Sequence, residues 1–339
     1  MYSSKHGGNI YNFAEKLACL PSDIIDFSSN IHFEQAVKWR ELPLHLTPYA
    51  DPNYTDLKHA LKHRYALNES VDLELFNGAS AAIFALLRFL KPKNLIFYAP
   101  LYSEYINVAR ELQCHLHFIN RFENDFLSPI PKNSTVIFVN PSTPDGRIYD
   151  LTELVKHWKT ANCTVIIDES FLDFCDAPSM FDFMTTSDKF FVVKSLCKFY
   201  GCAGVRIGFV AAQKDTIKAI KVYEPMWKIS TFDDIYMQNA LKNSAFIEQT
   251  RYETQCLRAK LEHVLLDSNL FEKIYDGSAN FVLARLKKSE FDLQTKLARF
   301  KILIRVCDSF DFLDSQDIRF AVKSKANIEK LAFALSCLN

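Results

Sequence analysis

The chain has 339 residues, 49% of them hydrophobic and 24% charged, enough for one large buried core with a smaller satellite. Forty basic residues balance forty acidic ones, which removes the general attraction that nucleic acid or an anionic membrane draws on and leaves a small molecule as the expected partner. Nine scattered cysteines without a C-x-x-C pair, no apolar leader, and no apolar run near the roughly eighteen residues of a membrane span point to a soluble protein of the reducing cytoplasm.

Only eight glycines stand against twenty-nine phenylalanines, so glycines among polar residues carry information, first at His6-Gly7-Gly8-Asn9. From there the chain alternates. Helical spacing over residues 79–90 precedes a short apolar run at 94–98; a helix at 104–112 precedes a run at 115–119; runs follow at 135–139, 164–167, 190–193 and 207–211, with a helix at 151–160. That alternation predicts an α/β fold, a mostly parallel sheet covered by helices. After about Asp215 long charged helices take over, with 235–266 read as one element, followed by strands near 280–286 and 302–306. The expected organisation is an N-terminal arm (1–40) packed with the small domain, a large domain (41–225), and a long helix with a small α+β domain (226–339). No flexible linker separates the two domains, so a site is expected at their interface.

The densest chemistry lies in Ser195-Leu-Cys-Lys198-Phe-Tyr-Gly-Cys-Ala-Gly-Val-Arg206, between two predicted strands. An imine-forming lysine needs a setting that frees its amine, and a phosphate dianion needs hydroxyl and guanidinium donors; this loop supplies all three groups. The plainer reading is a solvated surface loop. Thirty residues upstream, Val165-Ile-Ile-Asp168-Glu169 runs a strand into two carboxylates at the edge where open α/β sheets bind ligands. A carboxylate there can pair with a protonated pyridine nitrogen, or simply cap a helix. Asn77-Gly-Ala79-Ser80 opens a helix whose free N–H groups suit a phosphate.

With these motifs the chain resembles the fold-type I pyridoxal-phosphate enzymes of the class I/II aminotransferase group, and within them the threonine-phosphate decarboxylases of cobalamin biosynthesis, themselves similar to histidinol-phosphate aminotransferases. The likeness includes His6-Gly-Gly-Asn9-Ile, Asp26-Phe-Ser-Ser-Asn30-Ile, Tyr49-Ala-Asp51 with Tyr54, Ser195-Leu-Cys-Lys198, and Ile302-Leu-Ile-Arg305 leading to Arg319. The resemblance implies a seven-stranded sheet, pyridoxal 5'-phosphate as cofactor, and a homodimer. It implies that Lys198 holds the cofactor as an imine and that Asp168 faces the pyridine nitrogen. Ala79, Ser80, Ser195 and Arg206 would hold the cofactor phosphate, with Tyr49 reaching it from the neighbouring subunit, and the Tyr102 ring would stack on the cofactor. Arg319 would grip the substrate carboxylate, a job suited to a bidentate fork. Arg305, Asn30 and the Gly7-Gly8 turn would form the pocket for a substrate phosphate.

Two departures stand out. The family loop N-P-x-N-P-T-G reads Asn140-Pro-Ser-Thr143-Pro-Asp145-Gly146, so Thr143 replaces the asparagine that contacts the cofactor's ring oxygen, a loss of roughly 1 kcal/mol for one neutral hydrogen bond. The tyrosine of D-E-x-Y is Phe171. His115 and His117 alternate on a predicted strand without a third ligand at useful spacing, and no metal site is expected. Lys93, Arg110 and the basic residues of 250–263 read as solvated faces. The implied reaction begins when a phosphorylated amino acid, phosphothreonine or phosphoserine, displaces Lys198 and then loses CO2. The rivals are a histidinol-phosphate-type aminotransferase using 2-oxoglutarate, and a cofactor-binding protein of little activity.

Overall fold

The computed structural model describes residues 6–123, 126–185 and 187–338. In chain order its strands are β1 (Ile25–Asp26), β2 (Val71–Asn77), β3 (Asn94–Ala99), β4 (His115–Asn120), β5 (Thr135–Val139), β6 (Thr164–Asp168), β7 (Phe190–Ser195), β8 (Ile207–Gln213), β9 (Phe271–Ile274), β10 (Phe281–Leu286), β11 (Ile302–Leu303), β12 (Arg305–Val306) and β13 (Asp317–Ala321). The α-helices are α1 (Ile10–Lys16), α2 (Thr55–Arg64), α3 (Gly78–Leu90), α4 (Glu104–Glu111), α5 (Thr152–Thr160), α6 (Lys214–Lys221), α7 (Thr231–Lys242), α8 (Ser244–Asp267), α9 (Leu293–Ala298) and α10 (Lys325–Ser336).

Seven strands form one sheet in the order β2-β8-β7-β6-β5-β3-β4, with only β8 antiparallel to its neighbours. Its central strands are apolar on both faces, as helices on both sides require. Alternation assigns the faces: on β6, Val165 and Ile167 enter one core cluster while Ile166 enters the other, with α3 and α4. Parity carries beyond the apolar run, so Asp168 and Ser195 end on the α3/α4 side and Glu169 and Lys194 on the opposite one. There Lys194 Nζ lies 3.5 Å from Glu169 Oε2 and 3.6 Å from Asp173 Oδ1, all three groups buried. Mutual pairing is what makes such burial tolerable.

The second sheet, β12-β13-β10-β9, is antiparallel and packs on α8, with Phe271, Val282, Phe320 and Leu331 in its core. The predicted single helix over 235–266 is two. Asn243 leaves helical geometry, its Oδ1 accepts the Phe246 N–H at 3.1 Å to start α8, and its Nδ2 donates to the Ala36 carbonyl at 2.9 Å. The strand expected near 302–306 is likewise divided. β11 pairs with β1 and β12 with β13, because the Ile304 N–H between them donates to Gln294 Oε1 at 2.8 Å instead of to a strand. β1, β2, β9 and β13 went unread in the sequence.

Candidate active site

The C-terminal ends of β5, β6 and β7 open into a cavity of about 330 Å³ that also meets β12 and β13. Ala79, Ser80, Asp168, Ser195, Lys198 and Arg206 line it. Tyr102 lines it too, its hydroxyl 3.1 Å from Ser80 Oγ. Gly7, Asn30, Thr143, Arg305 and Arg319 complete the expected residues in its lining. Two expected residues lie outside the cavity. Gly8 spends its N–H on Ser28 Oγ at 2.7 Å, and Tyr49 is 79% exposed, stacked on Trp227 with ring centres 4.7 Å apart.

The Lys198 amine is drawn down from 10.5 to about 8, first by burial, with Arg319 and Arg206 adding to the effect and Asp168 opposing it. Its Nζ stands 3.8 Å from the centre of the Phe171 ring. The turn that carries it is tied to the N-terminal segment, because the His32 N–H donates to the Lys198 carbonyl at 2.9 Å. Asp168 receives two hydrogen bonds, from the Ser170 N–H to Oδ1 at 2.9 Å and from the Tyr105 hydroxyl to Oδ2 at 3.2 Å.

The phosphate end is built around α3. Its first turn has backbone N–H groups without helical partners. Gly78 has φ +82°, and a Cβ there would come within 2.5 Å of Arg206 Nη2. Glycine therefore lets the guanidinium lie against the helix start, where Ser195 and Ser80 add hydroxyls.

On the wall formed by β12 and β13 two arginines face each other, since Arg305 on β12 pairs in register with Arg319 on β13. Arg305 Nη2 donates to Ser309 Oγ at 2.7 Å. Arg319 Nη1 donates to Thr143 Oγ1 at 3.0 Å and Nη2 to the Ser28 carbonyl at 2.9 Å, while its buried Nε meets no acceptor. Burial draws Arg319 down to about 10, with Arg305 reinforcing the shift. Asn30 Oδ1 is also buried without a partner.

Thr143 is held by a stiff loop. Asn140 and Tyr149 exchange hydrogen bonds of 3.1 and 2.9 Å, the Tyr149 hydroxyl donates to Asp145 Oδ2 at 3.1 Å, and Ser142 donates to Asp145 Oδ1. Sequence reasoning missed Tyr105, Ser309, Phe310 and His6, all of which touch the site or its walls. The Tyr102 to Tyr105 spacing, one helical turn, was the available signal for the first. Ser309 and Phe310 follow Arg305 in a loop without periodicity. His6 was read only as part of its glycine turn; its Nε2 is 2.9 Å from Glu104 Oε1.

A family model described as aminotransferase class I and II matches residues 35–335. The chain belongs to the class I and II aminotransferase family. A threonine-phosphate decarboxylase of Salmonella typhimurium is 29% identical, the match covering 99% of this chain and 96% of the relative. An adenosylcobalamin biosynthesis bifunctional protein of Leptospira interrogans is also 29% identical; 98% of this chain matches, but it spans only 41% of that relative's length. Among solved structures, a histidinol-phosphate aminotransferase from Clostridium acetobutylicum superposes with TM-score 0.83 at 25% identity, over 92% of this chain and 98% of its own. A second, from Sinorhizobium meliloti, was solved with pyridoxal-5'-phosphate and shares the fold, with TM-score 0.83 at 16% identity over 98% of this chain and 94% of its own.

As a member of this family the chain is an enzyme, a carboxy-lyase or a transaminase, and its cofactor is pyridoxal 5'-phosphate. The cavity suits that group. An amine made less basic, a hydrogen-bonded carboxylate, an aromatic ring and a hydroxyl-guanidinium-helix cradle all line it. No helix among the described residues is long and apolar enough to cross a membrane.

Proposed function

We propose that this enzyme decarboxylates an O-phosphorylated amino acid, phosphothreonine or phosphoserine, releasing CO2 and an aminoalkyl phosphate. The observation that carries the reading is the direct opposition of Arg305 and Arg319 on the wall of the cavity that Lys198 also lines. Like charges facing each other across a strand pair are destabilising unless anions come between them. A substrate with both a carboxylate and a phosphate supplies two such anions. In this reading Arg319 takes the carboxylate through its unspent Nε, and Arg305, with Asn30 and the Gly7 turn, takes the phosphate.

Pyridoxal phosphate, once bound, supplies an aldehyde that captures an amine and a ring that accepts an electron pair. The protein's own groups do the rest. Lys198 keeps an amine able to shed its proton near neutral pH, and Asp168 offers an anion to the ring nitrogen. Ser195, Ser80, the Ala79 N–H and Arg206 anchor the cofactor phosphate, while Tyr102 covers the ring. Which bond to the α-carbon breaks depends on which is held perpendicular to the ring, a placement set by the grip of Arg319 and Arg305.

Tyr49 enters this reading through a homodimer, in which its exposed ring would reach the cofactor phosphate of the neighbouring subunit. Sedimentation of the loaded protein, with the Tyr49→Ala variant beside it, tests that part.

The histidinol-phosphate reaction is the alternative, favoured by the likeness to the Clostridium aminotransferase. Purified protein is incubated with phosphothreonine, phosphoserine, and histidinol phosphate plus 2-oxoglutarate. Release of CO2 from a phosphoamino acid supports the proposal. Glutamate formed from 2-oxoglutarate without CO2 release rejects it.

A further inference from the structure

Tyr105 belongs to no role assigned so far. It lies in the first turn of α4, one turn beyond Tyr102, and is fully buried in the cluster on the α3/α4 face of the sheet. Its hydroxyl donates to Asp168 Oδ2 at 3.2 Å, while the Ser170 N–H holds Oδ1 at 2.9 Å. A phenol has one proton, and against a carboxylate it can only donate. Burial, with the Asp168 charge, pushes the Tyr105 phenol well above its usual 10, so the donor persists across the working pH range.

Asp168 stands at the last position of β6, paired with Val139 and Val193 through its backbone, which leaves the orientation of its carboxylate to side-chain and loop donors. One donor on each oxygen defines the carboxylate plane and leaves the remaining lone pairs for the cavity, which Asp168 lines. The entry to α4 thus serves the site twice, Tyr102 just before the helix meeting Ser80 and Tyr105 in its first turn meeting the carboxylate.

We propose that Tyr105 is a positioning residue, which orients the Asp168 carboxylate toward the ring nitrogen of the cofactor. The proposal rests on the reading of Asp168 as the partner of that nitrogen. It differs from a packing role in what it affects: packing supports any ligand of the cavity, whereas orientation of Asp168 matters only to a ligand with a nitrogen in the ring.

The test is binding to the cofactor-free, full-length protein, followed by absorbance, of pyridoxal phosphate and of its analogue with C–H in place of the ring nitrogen. Wild type is expected to prefer pyridoxal phosphate. Tyr105→Phe removes only the hydroxyl; it should weaken pyridoxal phosphate about tenfold, as loss of a hydrogen bond to a charged group implies, and leave the analogue within about twofold. In an Asp168→Asn background the same substitution should add nothing. Tyr98→Phe, another buried tyrosine, whose hydroxyl donates to the Phe126 carbonyl, should leave that preference in place. With substrate, kcat should fall and KM hold.

Equal weakening of both ligands by Tyr105→Phe overturns the proposal, as does an unchanged preference for pyridoxal phosphate. If wild type binds the two ligands equally, the reading of Asp168 itself fails and Tyr105 falls with it. Should Tyr105→Phe fail to fold, the thermal midpoint of the cofactor-free variant reveals it, and the purely structural role stands in place of the proposal.

Discussion

Arg305 and Arg319 are cross-strand partners on β12 and β13, their guanidinium groups brought to one cavity wall with the Arg319 Nε left without an acceptor. Folding alone has no use for such a pair, since Coulomb repulsion and desolvation both oppose it. The arrangement stores a demand for anions. Arg319→Gln should raise the KM of a phosphoamino acid by about ten- to a hundredfold, the range for a lost charged hydrogen bond. Arg305→Gln should do the same for phosphothreonine yet matter little for unphosphorylated threonine. Steady-state kinetics on the two amino acids checks the assignment.

Thr143 accepts from Arg319 Nη1, so its hydroxyl holds that arginine in place. Thr143→Val keeps the shape and removes the acceptor. The expected result is a rise in KM of about fivefold with bound cofactor retained, matching one lost hydrogen bond. Loss of the cofactor instead would locate the hydroxyl's main partner in the ring.

The lowered basicity of Lys198 gives two pH effects. The amine becomes neutral as pH rises through about 8, so capture of pyridoxal phosphate by the cofactor-free protein should accelerate up to that pH and then level off. For stability the sign runs the same way. Between about 8 and 10.5 the unfolded chain holds a proton that the folded one has released, so stability rises with pH in that window. Lys198→Met should therefore stabilise the cofactor-free protein at pH 7 by up to about 3 kcal/mol, an advantage that fades towards pH 10.5. Urea titrations at several pH values measure it.

Gly78→Ala should damage the phosphate cradle without touching Lys198. The left-handed φ of +82° and the 2.5 Å approach to Arg206 oppose a side chain there. Strain of about 1 to 2 kcal/mol and a displaced guanidinium should weaken cofactor binding about tenfold. Equilibrium dialysis against pyridoxal phosphate gives the ratio.

Much of this site was legible because strand alternation and short loops are local signals. Asp168 and the Ser195 to Arg206 loop follow apolar runs whose period reveals where the side chains end. Asn243 shows the limit: apolar spacing continues across it, and only the cap it forms with Phe246 divides α7 from α8. β2 has no unbroken apolar run, only the alternation of Val71, Leu73 and Leu75 with Asp72 and Glu74, and the Glu74 carboxylate is buried between Lys58 and Lys228, partners sixteen residues before it and far after it in sequence. The pairing of Arg305 with Arg319 depends on a register between strands that neither segment encodes by itself.

Residues 27–32 have a physical duty beyond shaping a wall. Lys323 Nζ donates to the carbonyls of Ser29 and Ile31, Arg319 donates to that of Ser28, and both side chains are buried. This one stretch of backbone serves as a surrogate hydration shell for two cations kept from water. A chain lacking residues 1–32 would thus lose three carbonyl partners of its two buried cations together with the Phe27 side chain in the core.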